Sequence, residues 1–140
     1  MPQRKQWVVG FLFRNKSEVA LISKTHPAWQ AGKLNGVGGK IVEGESPLEA
    51  MTREFREEAG VEIPDWRAFA LLHIQDGDLY CFTAEGDYPL KALTEEKVDW
   101  YPIASLTKLK VIANVHWLIP LALDGGNKHA SIDYYQAASE

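Results

Sequence analysis

Three glutamates, Glu54, Glu57 and Glu58, lie in the stretch Arg53-Glu54-Phe55-Arg56-Glu57-Glu58. Residues three and four apart share a helix face, so the three carboxylates project from one side. Like charges at that spacing repel by about 0.2–0.5 kcal/mol per pair even when exposed. Hard divalent cations remove the repulsion, and oxygen donors on a rigid element suit Mg²⁺ or Mn²⁺. Arg53 stands four residues after Glu49 and four before Glu57, placed to brace either carboxylate. A charge run of this kind also describes a solvated helix face. The segment upstream shifts the weighting. Asn35-Gly36-Val37-Gly38-Gly39-Lys40-Ile41 reads as a glycine-rich turn whose bare backbone can offer carbonyls to a metal and amides to a phosphate. Glu45 follows just before the helix. Metals on such a face would bridge phosphate oxygens and acidify an attacking water. Without them the face would repel a polyphosphate.

The elements that must hold these groups are legible. Ser46 is a good N-cap, Pro47 suits the first helical position and Glu49 completes a capping box. The helix runs to about Ala59, with Gly60 as its C′ residue. Leu48, Met51 and Phe55 form the expected buried stripe. Trp7 to Arg14 is aromatic and β-branched and predicts a strand. Asn15-Lys16-Ser17 is a turn, and Glu18 to Lys24 returns as a hairpin. His26 to Leu34 reads as a loop. Trp66 to Ile74 and Leu79 to Ala84 are strands around Asp76-Gly77-Asp78. Glu85 to Glu96 is a polar loop and Val98 to Ile103 a short strand. Val111 to Leu123 is a second helix that Pro120 ends or kinks. Ile132 to Tyr135 is a last short strand. Strands around one strong helix and one later helix predict an α/β or α+β layered domain with a mixed sheet.

Gly39, five residues, Glu45, seven residues, and then Arg53-Glu54-Phe55-Arg56-Glu57-Glu58-Ala59-Gly60-Val61 resembles the complete Nudix box, G-x5-E-x7-R-E-U-x-E-E-x-G-U with U a bulky apolar residue. Every fixed letter matches; Phe55 is an aromatic at a U position more often aliphatic. The resemblance implies an α/β/α sandwich with a mixed β-sheet between helices. It also implies metal-dependent hydrolysis of a nucleoside diphosphate linked to a group X. Carried onto this chain, Glu54, Glu57 and Glu58 would be metal ligands with the carbonyl of Gly38. Glu57 and Glu54 would carry catalysis, and Arg53 would orient a glutamate. Many members place a further glutamate in the loop before a residue corresponding to Trp100. The spacing favours Glu95 over Glu96 for that role. A homodimer is compatible with the family.

Lys40 and Lys24 are candidate phosphate contacts as point charges. The segment Leu34 to Glu45, with Trp117 to Leu121, resembles the branch that sanitises oxidised purine nucleoside triphosphates, where Asn35 matches a base-contacting asparagine. That branch carries an acidic pair where this chain has Ala113 and Asn114; Asn114 can still bond a base edge. The expected substrate is a (d)NTP cleaved to (d)NMP and pyrophosphate, with Mg²⁺ as cofactor and Mn²⁺ able to substitute. A nucleotide-sugar or dinucleotide hydrolase is the enzymatic alternative, and a non-catalytic nucleotide-sensing module the second.

Other chemistries fit less well. A Walker A loop fails at Leu34 and Ile41, and a dinucleotide fingerprint starting at Gly36 fails at Ile41. His26, His73, His116 and His129 lack metal-ligand spacing. Trp29 is able to stack on a base, but packing is the simpler reading. The formal charge of −4 disfavours stable nucleic-acid binding. One cysteine, Cys81, permits no internal disulfide, which suits the cytoplasm. No segment approaches the roughly 20 apolar residues that span a bilayer. The start, a basic head followed by Trp7 to Phe13, reads as a first strand and not as a leader. With no repeat or linker, residues 1–140 read as a single domain.

Overall fold

The computed structural model describes residues 4–126 and 128–135. The first three residues of the basic head therefore lie outside the described part. Eight strands form one mixed sheet: β1 (Lys5–Arg14), β2 (Glu18–Ser23), β3 (Leu34–Asn35), β4 (Val37–Lys40), β5 (Arg67–Ile74), β6 (Gly77–Glu85), β7 (Val98–Pro102) and β8 (Ala130–Asp133). Two α-helices flank it, α1 (Pro47–Ala59) and α2 (Val115–Leu123), with a 3₁₀ segment at Ile103–Lys108.

Strand β1 organises the rest. It runs parallel to β6 from Lys5↔Gly77 to Phe13↔Glu85. Its other edge is shared: Trp7 to Gly10 pair with β4, and Phe13 and Arg14 pair with β2. A strand paired on both edges and covered on both faces reads as the near-continuous apolar run seen here. Successive side chains leave on opposite faces. Val9, Phe11 and Phe13 join Val115, Leu118 and Ile119 of α2. Val8 and Leu12 join Ala50, Met51, Phe55 and Ala59 of α1. The sheet thus separates two apolar layers, the α/β/α arrangement expected.

The β1–β2 turn closes with Asn15 and Lys16 both at positive φ and the Ser17 N–H donating to the Arg14 carbonyl at 3.1 Å. Helix α1 begins and ends as its sequence predicts. The Glu49 N–H donates to Ser46 Oγ at 3.1 Å, and the Ser46 N–H donates to Glu49 Oε1 at 2.9 Å. Gly60 takes a left-handed φ of 72° and its N–H donates to the Arg56 carbonyl. At Gly10 a side chain would run into Met51, with Sδ and Cε only 2.7 Å from an added Cβ. Its bare backbone lets α1 lie close on the sheet.

Several expectations need correction. Leu48 is 46% exposed and does not belong to the buried stripe. It lies in the first turn and lines an open groove with Glu45, Glu49, Thr52, Arg53 and Arg56. The glycine-rich segment is strand β4 and not a turn, and Gly36, Gly38 and Gly39 all avoid positive φ. Their lack of side chains serves close approach: an added Cβ at Gly38 would collide with the Val8 carbonyl. Helix α2 starts at Val115 because Val111 is used to bridge Leu34 of β3. Pro120 sits inside α2 without ending it. The last strand is Ala130–Asp133, two residues earlier than expected, parallel to β5. Among the described residues no helix is long and apolar enough to cross a membrane.

Candidate active site

Arg53 is the hub of the acidic face. Its Nε donates to Glu45 Oε2 at 2.6 Å and its Nη2 to Glu45 Oε1 at 3.0 Å, a two-pronged pairing. Nη1 donates to Glu54 Oε1 at 2.9 Å and to Glu57 Oε2 at 3.2 Å, and Nη2 also donates to the Lys40 carbonyl at 3.1 Å. One guanidinium therefore ties the end of β4, the loop before α1 and two glutamates of α1 together. Its proton affinity is raised, first by the bond to Glu45, and Glu45 is correspondingly lowered by Arg53. The predicted choice between Glu49 and Glu57 resolves differently: Glu49 is occupied by the capping box, and Glu45 takes its place.

The three glutamates occupy unlike surroundings. Glu57 is 54% exposed at its side chain. Glu54 and Glu58 are half-buried, Glu54 with its carboxylate against Gly39 of β4. Burial raises the pKa of Glu54, partly offset by the bond from Arg53, with the Glu57 charge adding to the rise. Burial pushes Glu58 up to about 8; the charge of Glu54 adds to this, Lys24 opposes it and Glu96 reinforces it. The Oε2 atom of Glu58 is buried without a hydrogen-bond partner. Gly39 allows the pair its place, because an added Cβ there would stand 2.5 Å from the Glu54 carboxylate.

Among the described residues no group of three or more His, Cys, Asp or Glu side chains is arranged so that it could by itself hold a metal ion. Mg²⁺ does not require one, since it keeps several waters and is held by one or two carboxylates plus substrate phosphates. Crowded carboxylates whose proton affinity is raised, one with an orphaned oxygen, are a donor set that a hard cation would relieve. The residues present therefore fit a divalent ion.

The other candidates are distributed unevenly. Gly38 lies in β4 opposite Val9, one residue from the Glu54 contact. Lys40 is exposed, with its carbonyl bound by Arg53. Lys24 is not a free point charge: its Nζ donates to Glu96 Oε1 at 3.1 Å. Glu95 is exposed, and Glu96 is the inward member of the pair at 4% exposure. Glu95 faces solvent and Glu96 faces in, a difference in burial that does not address the role expected of Glu95 at the metals. The available signal was the alternation that continues from Glu96 to buried Val98 while Glu95 and Lys97 face out. Burial pushes the Glu96 carboxyl up, but the Thr25 amide, Lys24 and the Thr25 hydroxyl outweigh it and hold it at about 2.

Asn35 donates from Nδ2 to Gln30 Oε1 at 3.1 Å and accepts the Gly36 N–H at 2.8 Å. Asn114 precedes α2 and makes no side-chain cap bond. The pairing of Leu34 with the segment around Val111 brings the start of α2 alongside β3, which carries Asn35. Trp29 is 63% exposed, against the packing reading. Cys81 is buried and its thiol is pushed up to about 12 by that burial, so it is inert.

A family model described as the NUDIX domain matches residues 3–119. The 8-oxo-dGTP diphosphatase of Escherichia coli K12 is 32% identical over 54% of this chain; the match spans 59% of that enzyme's length. A Bacillus subtilis protein described as the uncharacterised Nudix hydrolase YvcI is 24% identical over 92% of this chain and 87% of its own. Among solved structures, a MutT protein from Bacillus halodurans superposes with a TM-score of 0.75 at 20% identity, covering 94% of this chain and 90% of that one. The NUDIX domain of Shewanella oneidensis NrtR, crystallised with ADP ribose, superposes at 0.76 with 21% identity, covering 87% of this chain and 88% of its own.

Proposed function

The chain belongs to the Nudix family as a MutT-like hydrolase of pyrophosphate bonds, and from that premise we propose that its substrate is a (d)NTP, cleaved to (d)NMP and pyrophosphate. The observation that carries the proposal is the face built by Arg53: two half-buried carboxylates of raised proton affinity, an orphaned Glu58 oxygen and an exposed third carboxylate. Nudix hydrolases use divalent metal ions, and Mg²⁺, with Mn²⁺ as substitute, is the ion proposed for this one.

Glu54, Glu57, Glu58 and the Gly38 carbonyl are the proposed ligands. An ion bound there would neutralise phosphate charge and lower the pKa of an attacking water. Arg53 fixes Glu54 and Glu57 at their working positions while the Glu45 pairing stops the guanidinium from turning away. Glu57, the exposed member, is held by a single contact to Arg53 and presents its other oxygen toward solvent and substrate. Lys40, exposed at the end of β4, meets the phosphates, and Asn35 and Asn114 flank the base. A cytoplasmic location and a single domain over residues 1–140 belong to the same proposal.

The test is a panel of nucleotides with Mg²⁺, Mn²⁺ or chelator, read by product analysis. It includes 8-oxo-dGTP and ADP ribose, because relatives of this chain carry those names in their descriptions. Release of pyrophosphate and monophosphate from a (d)NTP is the expected outcome. Cleavage confined to a nucleotide sugar or dinucleotide would move the assignment to that class. No metal-dependent turnover of any nucleotide would leave a sensing module. Glu57→Gln should lower kcat by about 100-fold or more with the fold retained.

A further inference from the structure

The segment between β2 and β3 is closed at its neck. The Lys24 N–H donates to the Lys33 carbonyl and the Gly32 N–H to the Lys24 carbonyl, both at 2.9 Å. Within it, the Gln30 and Ala31 N–H groups donate to the Pro27 carbonyl at 2.9 and 3.1 Å. Gln30 meets Asn35, and Trp29 stands open to solvent beside it in sequence. The neck is held from below by Glu96. Its Oε2 accepts the Thr25 N–H at 2.6 Å, the Thr25 hydroxyl at 3.1 Å and the His26 N–H at 3.3 Å, while Oε1 accepts Lys24 Nζ. Next to it the Ser23 N–H donates to the Lys97 carbonyl at 2.8 Å. The segment that leads to Glu96 is tied to the end of α1, with the Leu93 N–H donating to the Glu58 carbonyl at 3.2 Å and the Lys91 N–H to the Ala59 carbonyl at 2.9 Å.

A general base must present a free lone pair to the proton it takes, and a metal ligand must present one to the ion. Glu96 is buried with both oxygens engaged by this chain. We propose that Glu96 is a positioning residue: its carboxylate, paired with Lys24, moors residues 24–33 beside the acidic face of α1 and so fixes where Gln30 and Trp29 stand relative to the nucleotide. The proposal rests on the nucleotide-hydrolase reading of that face.

The test uses the full chain with Glu96→Ala, Glu96→Gln and Thr25→Val. Hydrogen exchange of the Thr25 and His26 amides, measured without nucleotide, reads the mooring directly. Glu96→Ala should speed it about tenfold or more, and Glu96→Gln, which keeps one acceptor oxygen, should speed it less. Thr25→Val removes the hydroxyl with its contacts to Glu96 Oε2 and the His26 ring but leaves both amide bonds to Glu96, and should have the smallest effect. In turnover, Glu96→Ala should raise KM about tenfold with kcat within about threefold, the mark of lost binding rather than lost chemistry. A fall of about 100-fold in kcat for Glu96→Gln with the Thr25 amide still protected would overturn the proposal in favour of a base or ligand. Unchanged exchange in Glu96→Ala would overturn it whatever the activity. If the wild-type chain turned over no nucleotide, the hydrolase reading would fail and with it the nucleotide half of the proposal, while exchange would still decide the mooring.

Discussion

Arg53 and Glu58 stand in opposite electrostatic situations, and each dictates an experiment. Arg53 donates five hydrogen bonds in one plane, two of them to the same carboxylate. A lysine keeps the charge but not the fork. Arg53→Lys should therefore lower activity about 10–100-fold, the usual cost of losing a group that orients ligands, with circular dichroism unchanged. An activity within twofold of wild type, or a lost fold, would refute this account of the residue. For Glu58, the folded value of about 8 exceeds the ordinary 4.5 of a glutamate. Between those values the folded chain holds a proton that the unfolded chain has released. The stabilisation Glu58 contributes is thus complete below about 4.5 and is lost as pH rises through 8. A metal ion that replaces the proton acts in the opposite sense. The rise in Tm on adding Mg²⁺, relative to chelator, should be larger at pH 9 than at pH 6. A shift that shrinks with pH would contradict it.

At the scale of elements, both ends of α1 were readable because their signals are local: Ser46, Pro47, Glu49 and Gly60 act within one turn of the helix ends, while the buried stripe was misjudged at Leu48. Strand β4 was not readable. Val37-Gly38-Gly39-Lys40 lacks the side chains that mark a strand, and its conformation comes from pairing with β1 and from contacts that admit only glycine. The inward turn of Glu96 was signalled by its alternation with Val98, but its partners were hidden, since Lys24 and Thr25 lie some seventy positions away in sequence. Strand β8 shows a third kind of case. His73 on β5 joins Asp78 Oδ1 at 3.0 Å through Nδ1 and Ser131 Oγ at 3.1 Å through Nε2, and Arg4 also grips Asp78. The order Ser–His–Asp is that of a nucleophilic triad, but Ser131 is exposed on an edge strand, and the set reads as a tie between β5, β6 and β8. His73→Ala should speed amide exchange in residues 130–133 while leaving turnover within about twofold, since α1 is untouched. Loss of turnover in step with exchange would show that β8 supports the active face.

For the molecule as a whole, acid should act through the neck of residues 24–33. Glu96 has a folded value of about 2 against 4.5 for an ordinary glutamate. The stabilisation it contributes is present above about 4.5 and is lost as pH falls toward 2. Acid unfolding of the wild type should therefore be steeper over that interval than that of Glu96→Gln, which has no proton to take up. Equal slopes would remove Glu96 from the acid limb. The division into two apolar layers has its own consequence. Whether a β1 side chain faces α1 or α2 depends only on whether its position is odd or even. One residue inserted between Val8 and Gly10 would invert that parity for everything upstream or downstream of it. Either the glycine notch slides out from under Met51 and the glutamate-bearing helix rides up off the sheet, or the pairing with β6 is broken. The hydrolytic apparatus is thus seated by the odd–even phase of a strand that contributes none of its proposed chemical groups.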